Sequence, residues 1–460
     1  MSDDRSDALV FFGASGDLAF KSIFPALQGL AAAGQLRMPV LGIARKEWTR
    51  DDLIARARAS VEANGGLDPV GFDRLAARLQ YVKGEYQDGS TYAEIRERLG
   101  PSSRPLHYLA IPPSMFTNVV RGLADHGCAT GARVVLEKPF GRDLQSAREL
   151  DVVLHQHFTE RAIFRIDHFL GKEPVQNLLY FRFANTFLEP VWNREYIDRI
   201  EITMAESFGI RGRGRLYDEL GAIRDVVQNH LLQIAALLLM DPPVGHDSEA
   251  IRDATGQAFR AMRPLDPTEV IRGQFDEYRA QEGVDPESEM ETYAALRLHV
   301  DSWRWAGVPI YIRTGKCLPV TATEVFVAFK RPPHAVFDDV PLSPGNHVRF
   351  RLSPDVQIEL GTRAKKPGDG NIGEAVNLYA CRSTEHILPA YHRLLGDAMR
   401  GDQTLFARTD AVEASWRVVD PVLEVRPPLH TYRSGSWGPD VAERLLTNAA
   451  WHDPELAPER

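Results

Sequence analysis

The segment VFFGASGDLAF, residues 10–20, places two glycines where an apolar run gives way to a helical pattern. A glycine-containing turn at a helix N-terminus directs backbone N–H groups and the positive end of the helix dipole toward a diphosphate. Gly13 and Gly16 are three residues apart, which departs from the GxGxxG spacing. The spacing alone therefore leaves open a strand–helix turn that binds nothing.

The end of the second apolar run, VLGIAR, indicates which dinucleotide would bind. Folds that bind NAD carry an acid here to accept hydrogen bonds from the ribose hydroxyls, whereas in this chain Arg45 and Lys46 follow Ala44. A guanidinium suits a 2′-phosphate by its charge and its bidentate geometry. The residues thus predict a dinucleotide-binding fold that prefers NADP.

The stretch RIDHFLGKE, residues 165–173, crowds Asp167, His168 and Lys172 where a strand is expected to end. Taken alone, it is explained equally well by a solvated turn whose charges serve solubility. The chain has a net charge of −9, so an anionic substrate would need a local cluster of cations. The same charge argues against nucleic acid or an acidic membrane as a partner.

These candidate residues must be positioned by alternating strands and helices in the first third of the chain. Strands are predicted at 8–13, 40–45, 106–111, 133–138 and 161–166, with a helix at about 17–33 and helix-length stretches elsewhere. Strand–helix–strand alternation predicts a parallel sheet covered on both faces. We therefore expect residues 1–172 to form an α/β, Rossmann-like NADP-binding domain.

The pattern changes after about residue 175. Strands without regular intervening helices are predicted at 199–207, 323–331, 347–353, 356–363 and 375–380, and the short link after residue 353 indicates antiparallel neighbours. Helices are predicted at about 218–240, 287–304 and 386–397. Residues 173–460 are expected to form an α+β domain, with a large and mainly antiparallel sheet, for substrate binding and dimerisation.

Composition narrows the class of protein. A chain of 460 residues, 44% hydrophobic and 25% charged, is by default a globular protein of two domains. Cys128, Cys317 and Cys381 never form a CxxC pair, which fits a reducing compartment.

No HExxH motif or Cys/His cluster is present, so no metal is expected. The longest apolar run, IAALLLM, is shorter than the roughly 20 residues that span a bilayer, and we expect a soluble, cytoplasmic protein.

Four motifs follow one another along the chain: GASGDLA (13–19), EKPFG (137–141), RIDHFLGKE and RDVVQNHLLQ (224–233). RTGK, KKPG, PAYHRLL and YRSGSWGP follow them in that order. The chain thereby resembles the glucose-6-phosphate 1-dehydrogenase family over nearly its whole length. The resemblance implies oxidation of glucose 6-phosphate at C1 to a lactone with hydride transfer to NADP, the first step of the oxidative pentose phosphate pathway. It also implies a homodimer or a dimer of dimers.

The resemblance further implies roles for single residues. His230 would be the catalytic base and Asp167 its carboxylate partner. His168 and Lys172 would bind the phosphate end of the substrate, and Lys316 would reach the same substrate from the second domain. Glu206 and Asp225 would accept from sugar hydroxyls, and Lys138 would bridge cofactor and sugar. The implied cofactor-binding residues are Gly13, Ala14, Ser15, Gly16, Asp17, Leu18, Arg45 and Lys138.

His230 also has an ordinary interpretation as a satisfied core histidine. A neutral histidine can accept a proton at pH 7, and a carboxylate steadies the resulting imidazolium. On an α-helical wheel at about 100° per residue, His230 lies at the edge of an apolar stripe and Asp225 lies nearly opposite that stripe. An α-helix would therefore place the two residues on different faces.

Three positions depart from the family pattern at the substrate end. Phe169 stands where a tyrosine is usual, Ser22 where a lysine is usual, and Thr321 where a second basic residue is often found. A lost hydrogen bond to a charged group costs about 1.5–3 kcal/mol, unless neighbours such as Arg165 or Arg313 compensate. Two alternatives stay open: a paralogue that oxidises another sugar or sugar phosphate at C1, and a catalytically idle, regulatory family member.

Overall fold

The computed structural model describes residues 5–210, 212–334, 336–337, 345–368, 372–381, 388–447 and 449–455. The strands are β1 (Ala8–Phe12), β2 (Val40–Ala44), β3 (Leu79–Lys83), β4 (Pro105–Leu109), β5 (Arg133–Glu137), β6 (Ile163–Ile166), β7 (Ile197–Ala205), β8 (Val270–Phe275), β9 (Tyr293–Leu298), β10 (Ile310–Gly315), β11 (Ala322–Phe329), β12 (His347–Ser353), β13 (Gln357–Lys365), β14 (Gly373–Cys381) and β15 (Leu429–Tyr432).

The α-helices are α1 (Phe24–Ala32), α2 (Arg50–Ala63), α3 (Pro69–Ala76), α4 (Gly89–Leu99), α5 (Phe116–Asp125), α6 (Leu144–His157), α7 (Glu173–Ala184), α8 (Gly214–Ala222), α9 (Leu232–Leu239), α10 (Ser248–Ala261), α11 (Ala390–Arg400) and α12 (Thr409–Val425). Two π-helical segments, Ala19–Ile23 and Ile223–Leu231, run directly into α1 and α9. Among the described residues, no helix combines the length and the apolar character that crossing a membrane requires.

The chain divides into two compact units. The first consists of Met1–Glu173, Pro243–Asp253 and Leu388–Glu413, and the second of Pro174–Pro242, Ala254–Ile387 and Ala414–Arg460. The segments 243–253 and 388–413, which the sequence pattern places with residues 173–460, therefore belong to the first unit.

The first unit is built on a six-stranded parallel sheet with the order β3-β2-β1-β4-β5-β6. The predicted parallel, Rossmann-like sheet is confirmed, and five of its strands begin or end within two residues of the predicted bounds. Buried parallel strands read as uninterrupted apolar runs, which is why the sequence locates them. Ligands of such sheets bind outside the carboxyl ends of the strands, near the reversal of strand order between β1 and β4.

The buried core of the first unit joins its sheet to the helices that pack on it. Phe11 on β1 packs in one buried cluster with Phe24 and Leu27 of α1 and with Leu394 and Leu395 of α11. Although α11 comes late in the sequence, it contributes to this core, because its apolar side chains recur at helical spacing. The helix predicted near 386–397 is thus present as α11, while residues 386 and 387 lie outside the described residues.

The second unit contains a nine-stranded sheet with the order β14-β13-β12-β11-β7-β10-β9-β8-β15. Its pairings are antiparallel except for β7 with β10 and β8 with β15, which are parallel. β12 and β13, joined by the short link after Ser353, are antiparallel neighbours as predicted. The predicted mainly antiparallel sheet is therefore confirmed.

The helix predicted at about 287–304 is wrong. Residues Tyr293–Leu298 form β9, which lies between β8 and β10 and is almost wholly buried. Its alanines and leucines favour a helix by intrinsic propensity, but pairing on both edges and burial outweigh that preference. The sequence pattern also leaves β3, β8, β10 and β15 unpredicted.

Candidate active site

The glycine turn closes tightly after β1. Gly13 has a φ of +83°, and a Cβ atom there would lie 2.1 Å from the carbonyl oxygen of Ala110. The N–H of Gly13 donates to the carbonyl of Ile43 (3.0 Å) and faces the hydroxyl of Tyr86 (3.0 Å). The N–H of Gly16 donates back to the carbonyl of Gly13 (2.9 Å). Only glycine fits position 13, because both the backbone conformation and the packing exclude a side chain.

The helix predicted at about 17–33 begins with a π-helical turn, Ala19–Ile23, before α1. A π turn leaves carbonyl groups without their usual partners. Here the carbonyl of Phe20 accepts from the hydroxyl of Ser60 on α2 and from Nδ2 of Asn64 (3.3 Å), the residue that follows α2. Ser22, one of the departures from the family pattern, lies in this turn and is partly buried.

Arg45 lies at the carboxyl end of β2 and is exposed. The nearby acid, Glu47, is paired with Lys83, and within the described residues no carboxylate forms an ion pair with Arg45. The hydroxyl of Tyr81 donates to the carbonyls of Ala44 (3.1 Å) and Lys46 (2.6 Å), and these hydrogen bonds fix the course of the loop after β2. A glycine turn with no room for a Cβ and a cation at the end of β2 fit a dinucleotide that carries a 2′-phosphate.

Lys138 follows β5 and is partly buried. The preceding residue, Glu137, is buried, and its carboxyl group receives hydrogen bonds from Tyr108 and from Tyr391 (3.3 Å). Burial raises the pKa of Glu137 to about 7, although the two tyrosines and Lys138 act in the opposite direction. A carboxyl group that titrates near neutrality thus lies beside Lys138.

The stretch after β6 is organised around Asp167 and Phe169. Oδ1 of Asp167, a buried residue, accepts from the N–H of Phe169 (2.9 Å). Nζ of Lys172 lies 3.6 Å from the centre of the Phe169 ring, a cation–π contact. The ring of His168 contacts the edge of Phe169 (5.1 Å) and stacks on Tyr391 (6.3 Å, 11°). The phenyl ring therefore supports the two groups that were predicted to bind phosphate.

Gly171 permits close packing rather than a special backbone conformation. Its φ is not positive, so the backbone alone does not require a glycine here. A Cβ there would lie 2.8 Å from the side chain of Leu394 on α11. Gly171 thus permits close packing against α11.

The arginines that could have compensated for the three substitutions have other partners. Arg165 is 3% exposed and binds the carboxylates of Asp151 (2.5 Å) and Glu160 (2.9 Å). Arg313 is fully buried, binds Asp453 (2.8 Å) and lies over the ring of Trp451 (4.7 Å). The suggested compensation by Arg165 or Arg313 is therefore not supported.

In the second unit, Asp225 and His230 lie on the π-helical segment Ile223–Leu231. In a π-helix the backbone hydrogen bonds join residues i and i+5, so residues five apart lie nearly above one another, one turn apart. Asp225 and His230 therefore share a face, and the α-helical wheel that separated them is wrong. His230 is 4% exposed, and its backbone N–H donates to Oδ1 of Asn229 (2.6 Å).

Lys316 and Glu206 are brought together in the second unit. Nζ of Lys316 forms an ion pair with Oε2 of Glu206, and Lys316 is 4% exposed. The cation also lies 5.3 Å from the ring of Tyr217. Burial raises the pKa of Tyr217 well above its usual value, and Asp225 and Glu206 raise it further. Tyr217 thus remains a neutral phenol among the predicted substrate-binding residues.

Thr321 is engaged within the same unit. Its hydroxyl accepts from the N–H of Ser207 (3.0 Å) and shares a hydrogen bond with the Ser207 hydroxyl (2.7 Å). The threonine therefore links the loop after β10 to the end of β7. The basic residue often found at position 321 would instead have carried a positive charge.

The structure gathers the predicted residues of the first unit at one edge of its sheet. The glycine turn with Gly13, Ala14, Ser15, Gly16, Asp17 and Leu18 follows β1, Arg45 follows β2, Lys138 follows β5, and Asp167 and His168 follow β6. Three tyrosines were missed: Tyr86, Tyr217 and Tyr391. The only sequence signal for Tyr391 is its place in the PAYHRLL motif, and the other two carry none.

Fold and site together define a nicotinamide-dependent dehydrogenase. Residues 10–177 match the family model "Glucose-6-phosphate dehydrogenase, NAD binding domain", and residues 179–452 match "Glucose-6-phosphate dehydrogenase, C-terminal domain". The chain therefore belongs to the glucose-6-phosphate dehydrogenase family.

Relatives match over nearly their entire lengths. Glucose-6-phosphate 1-dehydrogenase 1 of Mycobacterium tuberculosis (strain CDC 1551 / Oshkosh) is 44% identical over 454 residues, which cover 98% of this chain and 97% of the relative. The crystal structure of glucose-6-phosphate 1-dehydrogenase from Mycobacterium avium is 45% identical, with a TM-score of 0.92 and coverage of 99% and 100%. A glucose-6-phosphate dehydrogenase in complex with its substrate glucose-6-phosphate is 35% identical, with a TM-score of 0.90 and coverage of 98% and 99%.

Proposed function

We propose that the protein oxidises glucose 6-phosphate at C1 to 6-phosphogluconolactone and reduces NADP. Full-length similarity to curated members of the family carries this proposal. His230 accepts the proton of the C1 hydroxyl as hydride leaves the same carbon, and Asp167 stabilises the resulting imidazolium. When bound, the nicotinamide supplies the hydride acceptor.

The remaining predicted residues hold the substrate. His168 and Lys172 bind the phosphate end, and the cation–π contact of Lys172 with Phe169 supports this role. Lys316 binds the same substrate. Glu206 and Asp225 accept hydrogen bonds from sugar hydroxyls, which favours a hexose over an apolar alcohol. Lys138 bridges the sugar and the cofactor from the carboxyl end of β5.

NADP is the proposed cofactor because Arg45 is exposed at the end of β2 while Glu47 is neutralised by Lys83. The backbone N–H groups of residues 13–18 are proposed to cradle the diphosphate. A guanidinium binds a phosphate bidentately, whereas it offers less to a ribose hydroxyl.

The activity is tested by the increase in NADPH absorbance after glucose 6-phosphate and NADP are added to the purified protein. His230→Asn should lower kcat by about 10²–10⁴-fold, because a general base contributes about that much. A wild-type rate equal to that of the variant would contradict the enzymatic function and favour the idle, regulatory alternative.

A second candidate function is oxidation of another sugar or sugar phosphate. Its support is specific: Arg165 and Arg313 are engaged by other residues, so these two arginines do not compensate for Phe169, Ser22 and Thr321. Comparison of kcat/KM for glucose 6-phosphate, free glucose and galactose 6-phosphate decides between the two candidates. The first requires the highest value for glucose 6-phosphate.

We also propose a cytoplasmic homodimer or dimer of dimers. Strand β14 lies at the end of the nine-stranded sheet, and its Leu378 and Tyr379 are more than half exposed. Exposed apolar side chains on an edge strand are typical of an interaction surface. Sedimentation equilibrium would measure the mass in solution, and a monomer at micromolar concentration would contradict the proposal.

A further inference from the structure

The segment that carries Asp225 and His230 is an uncommon helix. π-helices are rare and mostly occur as single turns, often at functional sites, whereas the segment Ile223–Leu231 is nine residues long. It begins two residues after Gly221, where the backbone leaves the helical conformation (φ 69°, ψ 175°). The contacts at this N-terminus are therefore well placed to determine how the segment winds.

Glu291 binds the start of the segment through its main chain and its side chain. Its carbonyl oxygen accepts from the N–H of Ala222 (3.0 Å), and Oε1 accepts from the N–H of Ile223 (3.2 Å). The first N–H groups of a helix have no partners within the helix, and an anion there is favoured by the helix dipole. Glu291 is 3% exposed, so this carboxylate is part of the protein interior.

Arg272, on β8, orients the Glu291 carboxylate. Its Nε lies 3.2 Å from Oε2 of Glu291, and its other nitrogens donate to the carbonyls of Pro427 (2.9 Å) and Glu289 (2.6 Å). Arg272 is also buried. Removing one partner of a buried ion pair strongly destabilises a protein. The contact with Arg272 therefore holds the carboxylate in place, with Oε1 toward Ile223.

Gly221 lets the chain approach this carboxylate. A Cβ atom at Gly221 would lie 2.4 Å from Oε1 of Glu291 and 2.5 Å from Sδ of Met290. The positive φ independently disfavours any other residue. The close contact between the start of the segment and Glu291 is thus a specific feature of the packing.

The residue after Glu291 binds a second part of the candidate site. The carbonyl of Thr292 accepts from the N–H of Lys316 (2.9 Å), and its N–H donates to the carbonyl of Gly273 (2.8 Å). Residues 291 and 292, immediately before β9, therefore hold both the π-helical segment and the backbone of Lys316.

We propose that Glu291, oriented by Arg272, is a positioning residue that keeps Ile223–Leu231 π-helical and so keeps Asp225 and His230 on one face. The inference rests on the proposed function, from which the roles of Asp225 and His230 are taken. Without the carboxylate the segment relaxes toward an α-helix, in which residues five apart are separated by about 140° around the axis. His230 then loses its orientation toward the C1 hydroxyl, while Glu291 itself never contacts the substrate.

Glu291→Gln tests this role, with Glu287→Gln as the matched control because Glu287 is exposed on the same loop. The variant should lower kcat by about 10–100-fold, the loss typical of a misplaced catalytic group, and should leave KM for NADP within twofold of wild type. With glucose 6-phosphate deuterated at C1, the isotope effect on kcat should rise, because cleavage of the C1–H bond becomes slower. A smaller folded fraction would lower kcat and leave the isotope effect unchanged.

A kcat within twofold of wild type, or a lowered kcat with an unchanged isotope effect, would overturn the inference. If Glu291→Gln does not fold, Arg272→Lys replaces it. The lysine keeps a cation beside the carboxylate but lacks the planar set of donors that orients it, so the same result is expected and the same results would overturn the inference. If wild type and His230→Asn are equally inactive, the proposed function fails. Hydrogen exchange of amides 223–231 then decides the role of Glu291: faster exchange in the folded variant supports it, and unchanged exchange overturns it.

Discussion

The hydroxyl of Tyr391 lies 3.3 Å from Oε2 of Glu137, although the first residue is on α11 and the second ends β5. Tyr108 donates to the other carboxyl oxygen. The ring of Tyr391 also stacks on His168. One side chain thereby joins a buried carboxyl group beside Lys138 to a residue proposed to bind the substrate's phosphate.

Glu137→Gln should remove a pH dependence of stability. The pKa of Glu137 is raised from 4.5 to about 7 in the folded protein. The stability that its protonated form contributes is fully present below pH 4.5, falls as the pH rises to 7, and is lost above it. At about 1.36 kcal/mol per pKa unit, the loss amounts to about 3 kcal/mol.

Urea unfolding of wild type and Glu137→Gln at pH 4.5 and pH 8 measures this loss. The free energy of unfolding of the variant, relative to wild type, should be higher at pH 8 than at pH 4.5 by about 3 kcal/mol. An equal difference between the two proteins at both pH values would show that Glu137 has an ordinary pKa in the folded state.

Arg45→Ala should lower kcat/KM for NADP by about 10–100-fold and leave kcat/KM for NAD within twofold, because a charge-assisted hydrogen bond contributes about 1.5–3 kcal/mol. Arg37→Ala is the matched control, since Arg37 is exposed and precedes β2 whereas Arg45 follows it. Equal losses with both nicotinamides would mean that Arg45 does not contact the 2′-phosphate.

Phe169→Leu should raise KM for glucose 6-phosphate by about 3–10-fold with little change in kcat. The leucine removes the ring beneath Nζ of Lys172, and a cation–π contact contributes about 0.5–2 kcal/mol. Phe169→Tyr keeps the ring and serves as the control, with KM no higher than wild type. If Phe169→Leu binds the substrate as wild type does, the ring does not position Lys172.

The strands of the first unit could be predicted because each is buried on both faces and reads as a continuous apolar run. β9 could not, because its alanines favour a helix and its strand conformation depends on β8 and β10. The bounds of the first unit could not be predicted either, because α11 packs in its core although more than two hundred residues separate α11 from β6.

Motifs marked single residues of the candidate site, such as Asp167, Lys138 and His230, and their roles stay predictions. The arrangement of these residues could not be predicted from the motifs. A helical wheel assumes 100° per residue, so it could not bring Asp225 and His230 onto one face. Glu291 also went unnoticed, because its partner Arg272 and the N–H of Ile223 are distant in sequence and only the fold brings them together.

The Lys316–Glu206 ion pair should act as a unit in substrate binding. Lys316→Met and Glu206→Gln should each lower kcat/KM for glucose 6-phosphate by about 10–100-fold, since each leaves a largely buried charge without its partner. The double variant should resemble the weaker single variant, with a coupling energy of about 1–3 kcal/mol. Arg263 and Asp301 form an exposed pair (2.6 Å) and provide the control cycle, in which kcat/KM should stay near wild type. If the losses at Lys316 and Glu206 were additive within about 0.5 kcal/mol, the two residues would bind the substrate independently.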